Sequence, residues 1–363
     1  MATPILICDD SNMARKQCAR SLPDGWPVDV SFAVNGAEGV AAIKEGKAEL
    51  LLLDLNMPVM DGYEVLEAIR AEDLETMVVV ISGDIQPEAR ARVKQLGAID
   101  FIKKPVDKNK LTSMLLEYGI IDNDSLASND EIEDKKPERK TLSSEEIIQD
   151  LGELIPTGSG SGSDIDIDPQ LRDCLQEVSN VAMGQAGDML AQLLDVFVEL
   201  PIPNVNLIEA SELSMAFRSI EDFDTTTGVC QGFIGSGISG EALLLLNDSC
   251  FADMARLLNY SGELDDQAEL EVLMDTANIL VGAYLKGMSE QLDLHFSRGN
   301  PVVLGQHCDI SELLDHQNTE WGRTLAIELS YGIEGYAIKC DLLLFFTEDS
   351  IPPLAHHASY LLD

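Results

Sequence analysis

The sequence predicts two globular domains of different class: a doubly wound α/β domain on a five-stranded parallel sheet, then an α+β domain with an internal pseudo-two-fold repeat. Three observations predict this. Short apolar runs alternate with helical segments up to residue 121. Residues 122–168, 47 in all, are acidic and rich in Gly and Ser, and interrupt the pattern. Beyond them, five polar, glycine and proline positions recur at a single offset. A chain of 363 residues has room for two or three domains.

Taken in order, the apolar runs are 4–8 (PILIC), 50–53 (LLLL), 77–81 (MVVVI) and 99–102 (IDFI). Helical segments at 12–21, 36–44, 62–71, 86–95 and 107–117 separate them. Such alternation marks a parallel sheet covered on both faces. The runs lead into Asp9 and Asp10, Asp54, Ser82, and Lys104 before Pro105. Chemistry in these sheets collects at the carboxyl ends of strands.

Three converging carboxylates repel one another unless a cation sits among them. Oxygen ligands together with a phosphate suit Mg²⁺. Asp9, Asp10, Asp54 and the main chain near Asn56 are the expected ligands. Asp54 is the expected nucleophile, forming an acyl phosphate. Ser82 and Lys104 would donate to the phosphoryl oxygens, Lys104 as a point charge. Pro105 is positioned to make a cis bond that aims the lysine. The plainer alternative is that Asp10 or Ser11 caps a helix and Asp54 is a loop carboxylate. The agreement of all the strand ends favours the site.

Asp9-Asp10-Ser11, Asp54-Leu55-Asn56-Met57-Pro58, Asp61-Gly62, Ser82-Gly83 and Lys104-Pro105 resemble the response-regulator receiver family, especially its chemotaxis members. The resemblance covers about residues 4–118. It implies phosphorylation of Asp54 by a histidine kinase and a switch at Phe101. It also implies that Asn56 and Asp84 border the water path to the phosphate.

The 122–168 stretch has the composition of a disordered linker, with a span of roughly 35–40 Å. Within it, 141–156 (TLSSEEIIQDLGELIP) breaks the pattern. Ser143 and Glu146 read as a capping box, and Ile147, Leu151, Leu154 and Ile155 share a helical face. Leu142, Ser143, Glu146, Ile147 and Leu151 resemble the receiver-binding peptide of flagellar switch proteins, which implies a docking peptide at 142–151. The alternative is a nascent helix without a partner.

In the helical segment 170–194, Asp173, Glu177, Asn180 and Gly184 share one face. Leu171, Leu175, Val178, Ala182 and Leu193 supply apolar surface elsewhere, and Pro203 follows. The segment 268–292 repeats the arrangement with Glu271, Asp275, Asn278 and Gly282, then Pro301. Every position is offset by 98, which predicts repeats at about 169–266 and 267–363 within a domain spanning 169–363. Strand-like runs follow at 228–246 and 325–346. A single such stripe is ordinarily a solvated helix face, and duplication argues for a role. A carboxamide both donates to and accepts from water, and a carboxylate one turn away can pair with a partner's lysine. Together they could orient water for in-line attack on a phosphate.

Asp173-x3-Glu177-x2-Asn180-x22-Pro203 resembles the CheC/CheX/FliY phosphatase family of chemotaxis, over roughly 169–346. The resemblance implies that Asn180 positions the attacking water and Glu177 engages a receiver lysine. The second copy departs from the pattern. Asp275 is one methylene shorter than glutamate, so Asp275 and Asn278 are expected to form the weaker site.

The formal net charge is −40: −6 over 1–121 (13 basic, 19 acidic), −10 over 122–168 (4 and 14) and −24 over 169–363 (7 and 31). Such a surface repels nucleic acid and anionic lipid, so no nucleic-acid or membrane partner is expected. The seven cysteines lack metal-ligand spacing and read as reduced thiols. With no signal peptide or apolar span, the expected location is cytoplasmic. The leading reading is a response regulator fused to an aspartyl-phosphate phosphatase, whose substrate is a separate phosphorylated receiver protein or its own Asp54. The rival is a non-enzymatic, phosphorylation-gated binding module for a chemotaxis coupling or flagellar switch protein.

Overall fold

The computed structural model describes residues 2–122, 167–209, 225–260, 262, 265–308 and 323–362. The expected docking peptide at 142–151 and nearly all of the 122–168 stretch lie outside them. The chain divides into two compact units, Met1–Ser143 and Ser144–Asp363.

The first unit is a parallel sheet of order β2-β1-β3-β4-β5. Its strands are β1 (Thr3–Cys8), β2 (Val28–Ala33), β3 (Leu50–Leu53), β4 (Met77–Ser82) and β5 (Asp100–Lys103). Between and after them run α1 (Asn12–Arg20), α2 (Gly36–Lys44), α3 (Gly62–Ala71), α4 (Pro87–Gln95) and α5 (Lys108–Glu117). The all-leucine β3 shows why continuous apolar runs mean a doubly covered sheet. Leu51 and Leu53 enter the core on one face with Val65 and Val80, and Leu50 and Leu52 enter the other with Val79 and Leu111. β2 was not among the apolar runs. Its sequence, VDVSFA, carries polar residues, and most of the strand is half-buried or exposed at the sheet edge.

The second unit is α+β. In chain order it runs α6 (Pro169–Leu194), β6 (Val198–Glu199), β7 (Asn204–Glu209), β8 (Thr226–Gly235), β9 (Ile238–Asn247), a 3₁₀ turn and α7 (Phe251–Leu257). It then continues with α8 (Asp266–Leu292), β10 (Ser297–Arg298), β11 (Val302–Cys308), β12 (Arg323–Ile333), β13 (Lys339–Phe346), a 3₁₀ turn and α9 (Ile351–Leu362). The long runs at 228–246 and 325–346 are each a hairpin of two strands. The sheet order is β10-β8-β9-β13-β12-β6, with β11 also on β8 and β7 also on β12. Apolar pairs such as Leu243–Leu343 and Leu244–Leu342 join β9 to β13 at its middle. α6 and α8 pack closely: a Cβ at Gly287 would lie 2.8 Å from Ala182 Cα. The Tyr284 hydroxyl donates to Ser179 Oγ at 2.9 Å in that interface. Both long helices end on an aspartate in the left-handed region, Asp195 (φ 54°) and Asp293 (φ 51°). No described helix is long and apolar enough to cross a membrane.

Candidate functional site

In the first unit, parallel pairing brings the strand ends together. The Asp54 amide donates to the Cys8 carbonyl at 2.9 Å, and the Lys104 amide to the Ser82 carbonyl at 2.9 Å. One carboxylate oxygen from each of Asp9, Asp10 and Asp54 lies within 4.8 Å of the others. Lys104 Nζ sits 2.8 Å from Asp9 Oδ2 and 3.4 Å from Asp54 Oδ1. Asp54 is only 1% exposed, and Asp9, Ser82 and Lys104 are also buried. Asp10 and Asn56 are half-buried. The Lys104–Pro105 bond is cis.

Ser11 is the residue that caps α1, accepting from the Ala14 amide at 3.1 Å. Asp9 orders that turn by accepting from the Ser11 amide at 2.9 Å. Gly62 permits the chain after Asp54 to fold back. A Cβ there would come 2.8 Å from Leu55 Cα and nearer still to the Asp54 carbonyl oxygen. Burial, then the Asp9 and Asp54 carboxylates, push the Cys8 thiol up to about 12, so it stays uncharged beside the site. All seven cysteines are free thiols.

Phe101 is half-buried against the core, with the Arg90 guanidinium carbon 5.0 Å above its ring. Asp84 is buried, and its Oδ1 accepts from the Gln86 amide and side-chain nitrogen at 3.0 and 3.1 Å. Sequence reasoning did not find Arg15. Its Nη1 donates to the Asp9 and Asp10 carbonyls at 2.5 and 2.9 Å, holding the acidic turn from outside.

In the second unit, the two stripes differ. On α8, Glu271, Asp275 and Asn278 are exposed and Gly282 is half-buried. On α6, Asp173 is half-buried and Gly184 buried, while Glu177 and Asn180 are each 5% exposed. The stripe therefore faces solvent on α8 and is buried at Glu177 and Asn180 on α6. Near its C-terminal end α6 is closed by Leu200, whose Cδ2 would lie 2.6 Å from a Cβ on Gly187. On α8 the chain returns as Arg298 instead. Arg298 Nη1 donates to the Asn278 carbonyl at 3.1 Å, and its Cζ lies 3.1 Å from where a Cβ on Gly282 would be. Sequence reasoning missed Arg298. The signal was available: Arg298 stands 98 positions after Leu200, a cation in place of an apolar residue.

Residues 5–116 match the model of the response regulator receiver domain. With five parallel strands and the acidic cluster at their ends, the first unit is a receiver domain. A protein-glutamate methylesterase/protein-glutamine glutaminase of Koribacter versatilis is 39% identical over 115 residues, 30% of this chain and 31% of that protein. A probable C4-dicarboxylate response regulator of Priestia megaterium is 31% identical over 119 residues, 32% of this chain and 52% of its own. This chain thus spans about a third to a half of the curated relatives it matches. Among solved structures, Thermotoga maritima FliY is 20% identical over 53% of this chain and 98% of that one, with a TM-score of 0.40.

Proposed function

We propose that this protein is a response regulator phosphorylated on Asp54 whose C-terminal unit hydrolyses the aspartyl phosphate of a receiver domain. The observation that carries the first half is the convergence of three carboxylates and a buried lysine at the strand ends. The Asp54 carboxylate attacks the phosphorus of a histidine-kinase phosphodonor; the new O–P bond forms as the imidazole nitrogen leaves. Lys104 and Ser82 Oγ hold the phosphoryl oxygens. A hard, all-oxygen donor set of this size fits Mg²⁺, with Asp9, Asp10, Asp54 and the Asn56 main chain as its ligands. When bound, the ion supplies charge neutralisation at the phosphoryl group.

The second half rests on the two long helices. The recurrence of carboxylate, carboxamide and glycine at a 98-residue offset, the twice-run element series and the shared left-handed aspartates support two copies of one unit. The resemblance to the CheC/CheX/FliY phosphatases assigns Asn180 to positioning water and Glu177 to the receiver's lysine. In-line attack by that water forms a P–O bond, breaks the bond to the aspartate and passes the water's proton to the phosphate product. A separate receiver can meet the exposed Asp275 and Asn278 directly, whereas Glu177 and Asn180 are each only 5% exposed.

Full-length protein phosphorylated from acetyl phosphate with Mg²⁺ tests both halves by intact mass. Asp54→Asn abolishes the phosphoryl adduct. The adduct outlives that of the native chain when Glu177→Ala/Asn180→Ala and Asp275→Ala/Asn278→Ala are combined. Equal lifetimes in native and fourfold-substituted chains would remove the case for hydrolysis in cis.

A further inference from the structure

The second stripe reads from sequence as a weakened duplicate, and the structure carries a different account. Gly282 occupies the stripe one turn beyond Asn278 and leaves its place empty of side chain. The Arg298 guanidinium fills that place, tethered by a hydrogen bond to the Asn278 carbonyl. Arg298 is exposed, and among the described residues no carboxylate pairs with it. That is unusual for a segment with 7 basic and 31 acidic residues. A cleft of about 510 Å³ opens beside it, lined by Gly282, Lys286, Ser289, Glu290, Asp293 and Arg298 among others. On α6, Leu200, 98 positions before Arg298, lies against Gly187, one turn beyond Gly184.

An arginine presents a planar fork of donors that matches phosphoryl oxygens, and among the described residues only one of those donors is engaged. We propose that Arg298 is a phosphoryl-contacting residue, completing an arginine-assisted site with Asp275 and Asn278 that takes the phosphorylated aspartate of another protein molecule. The inference rests on the phosphatase reading and deepens it. Asn278 holds the water, and Arg298 supplies to the phosphoryl oxygens an attraction that the shorter Asp275 does not supply to the receiver's lysine. Arg298 and the exposed pair act on a partner that approaches from solvent.

The test uses full-length chains throughout. One chain carries Glu177→Ala/Asn180→Ala/Asp275→Ala/Asn278→Ala and is loaded on Asp54 with beryllofluoride and Mg²⁺, or left unloaded. The other carries Asp54→Ala/Glu177→Ala/Asn180→Ala, so that only the second stripe remains, with Arg298 native, Arg298→Ala or Arg298→Lys. Binding is titrated, and decay of the true phosphoryl adduct is followed in parallel. Arg298→Ala weakens binding of the loaded chain by about tenfold and leaves the unloaded chain unaffected, as expected for one lost charge-assisted contact. Arg298→Lys restores part of the loss. A purely structural role moves loaded and unloaded binding together, which overturns the proposal, as does no change or no binding by any variant. Loaded-chain binding that depends on Arg298 without any faster decay sinks the hydrolytic reading alone. Faster decay that ignores Arg298 sinks this inference alone.

Discussion

Lys104 lies between two buried carboxylates, those of Asp9 and Asp54. Removing one partner of a buried charge cluster leaves the others uncompensated. Lys104→Ala is therefore expected to lower the urea-unfolding free energy of the receiver unit by about 3 kcal/mol in Mg²⁺-free buffer. Added Mg²⁺ narrows that deficit, since a bound cation offsets the same repulsion. His307 makes a second residue-scale case. Its Nδ1 lies 2.9 Å from Asp248 Oδ2, and its Nε2 lies 3.4 Å from Glu269 Oε2 and 4.0 Å from Asp266 Oδ1. The hydrogen bond to Asp248 raises the imidazole above its ordinary 6.5, with the other two carboxylates acting the same way. Burial raises Glu269, and His307 opposes that shift. A group raised on folding contributes stability that is complete below its unfolded value and is lost as pH rises through the folded one. The stability advantage of native protein over His307→Gln is thus expected to be full below about pH 6.5 and to fade above it. Thermal unfolding across that window checks the sign; a gap that widens with pH contradicts the assignment.

At the scale of elements, the α6–α8 interface is the part of the second unit most exposed to a single change. Gly287 lets the helices touch, and the Tyr284–Ser179 bond sits inside the contact. Gly287→Val forces the helices apart and is expected to cost about 1–3 kcal/mol by overpacking, read as a lower unfolding midpoint. An unchanged midpoint would mean that the helices do not meet there. These helices were legible in the sequence, as were four receiver strands, because long apolar periodicities and all-apolar runs are strong signals. The weak elements were not. β2 carries polar residues on an edge, β6 and β10 are two residues each, and β11 is bulged. The strand ends were legible because Asp9, Asp10, Asp54, Ser82 and Lys104 follow apolar runs directly. Arg298 was not, because it reaches Asn278 through a chain reversal that spacing does not encode. Nor was the different burial of the two stripes, whose residue types and spacings are nearly the same.

The whole molecule is strongly acidic in both units, with −6 over 1–121 and −24 over 169–363. Encounter between one chain's C-terminal unit and another chain's receiver is therefore opposed by like charge. Raising ionic strength from about 0.02 to 0.2 M shortens the Debye length to below about 10 Å and is expected to speed dephosphorylation between chains. A rate that falls with salt would contradict that picture. Dephosphorylation of one chain by another is read by a single decay measurement. Chain carrying all four alanine substitutions is phosphorylated on Asp54, freed of donor and mixed with increasing Asp54→Ala chain, which keeps both stripes and cannot itself be phosphorylated. The decay is expected to be first-order, to accelerate with the amount of Asp54→Ala chain and to stay at the background rate when the added chain lacks both pairs. Decay at the background rate at every concentration would contradict it.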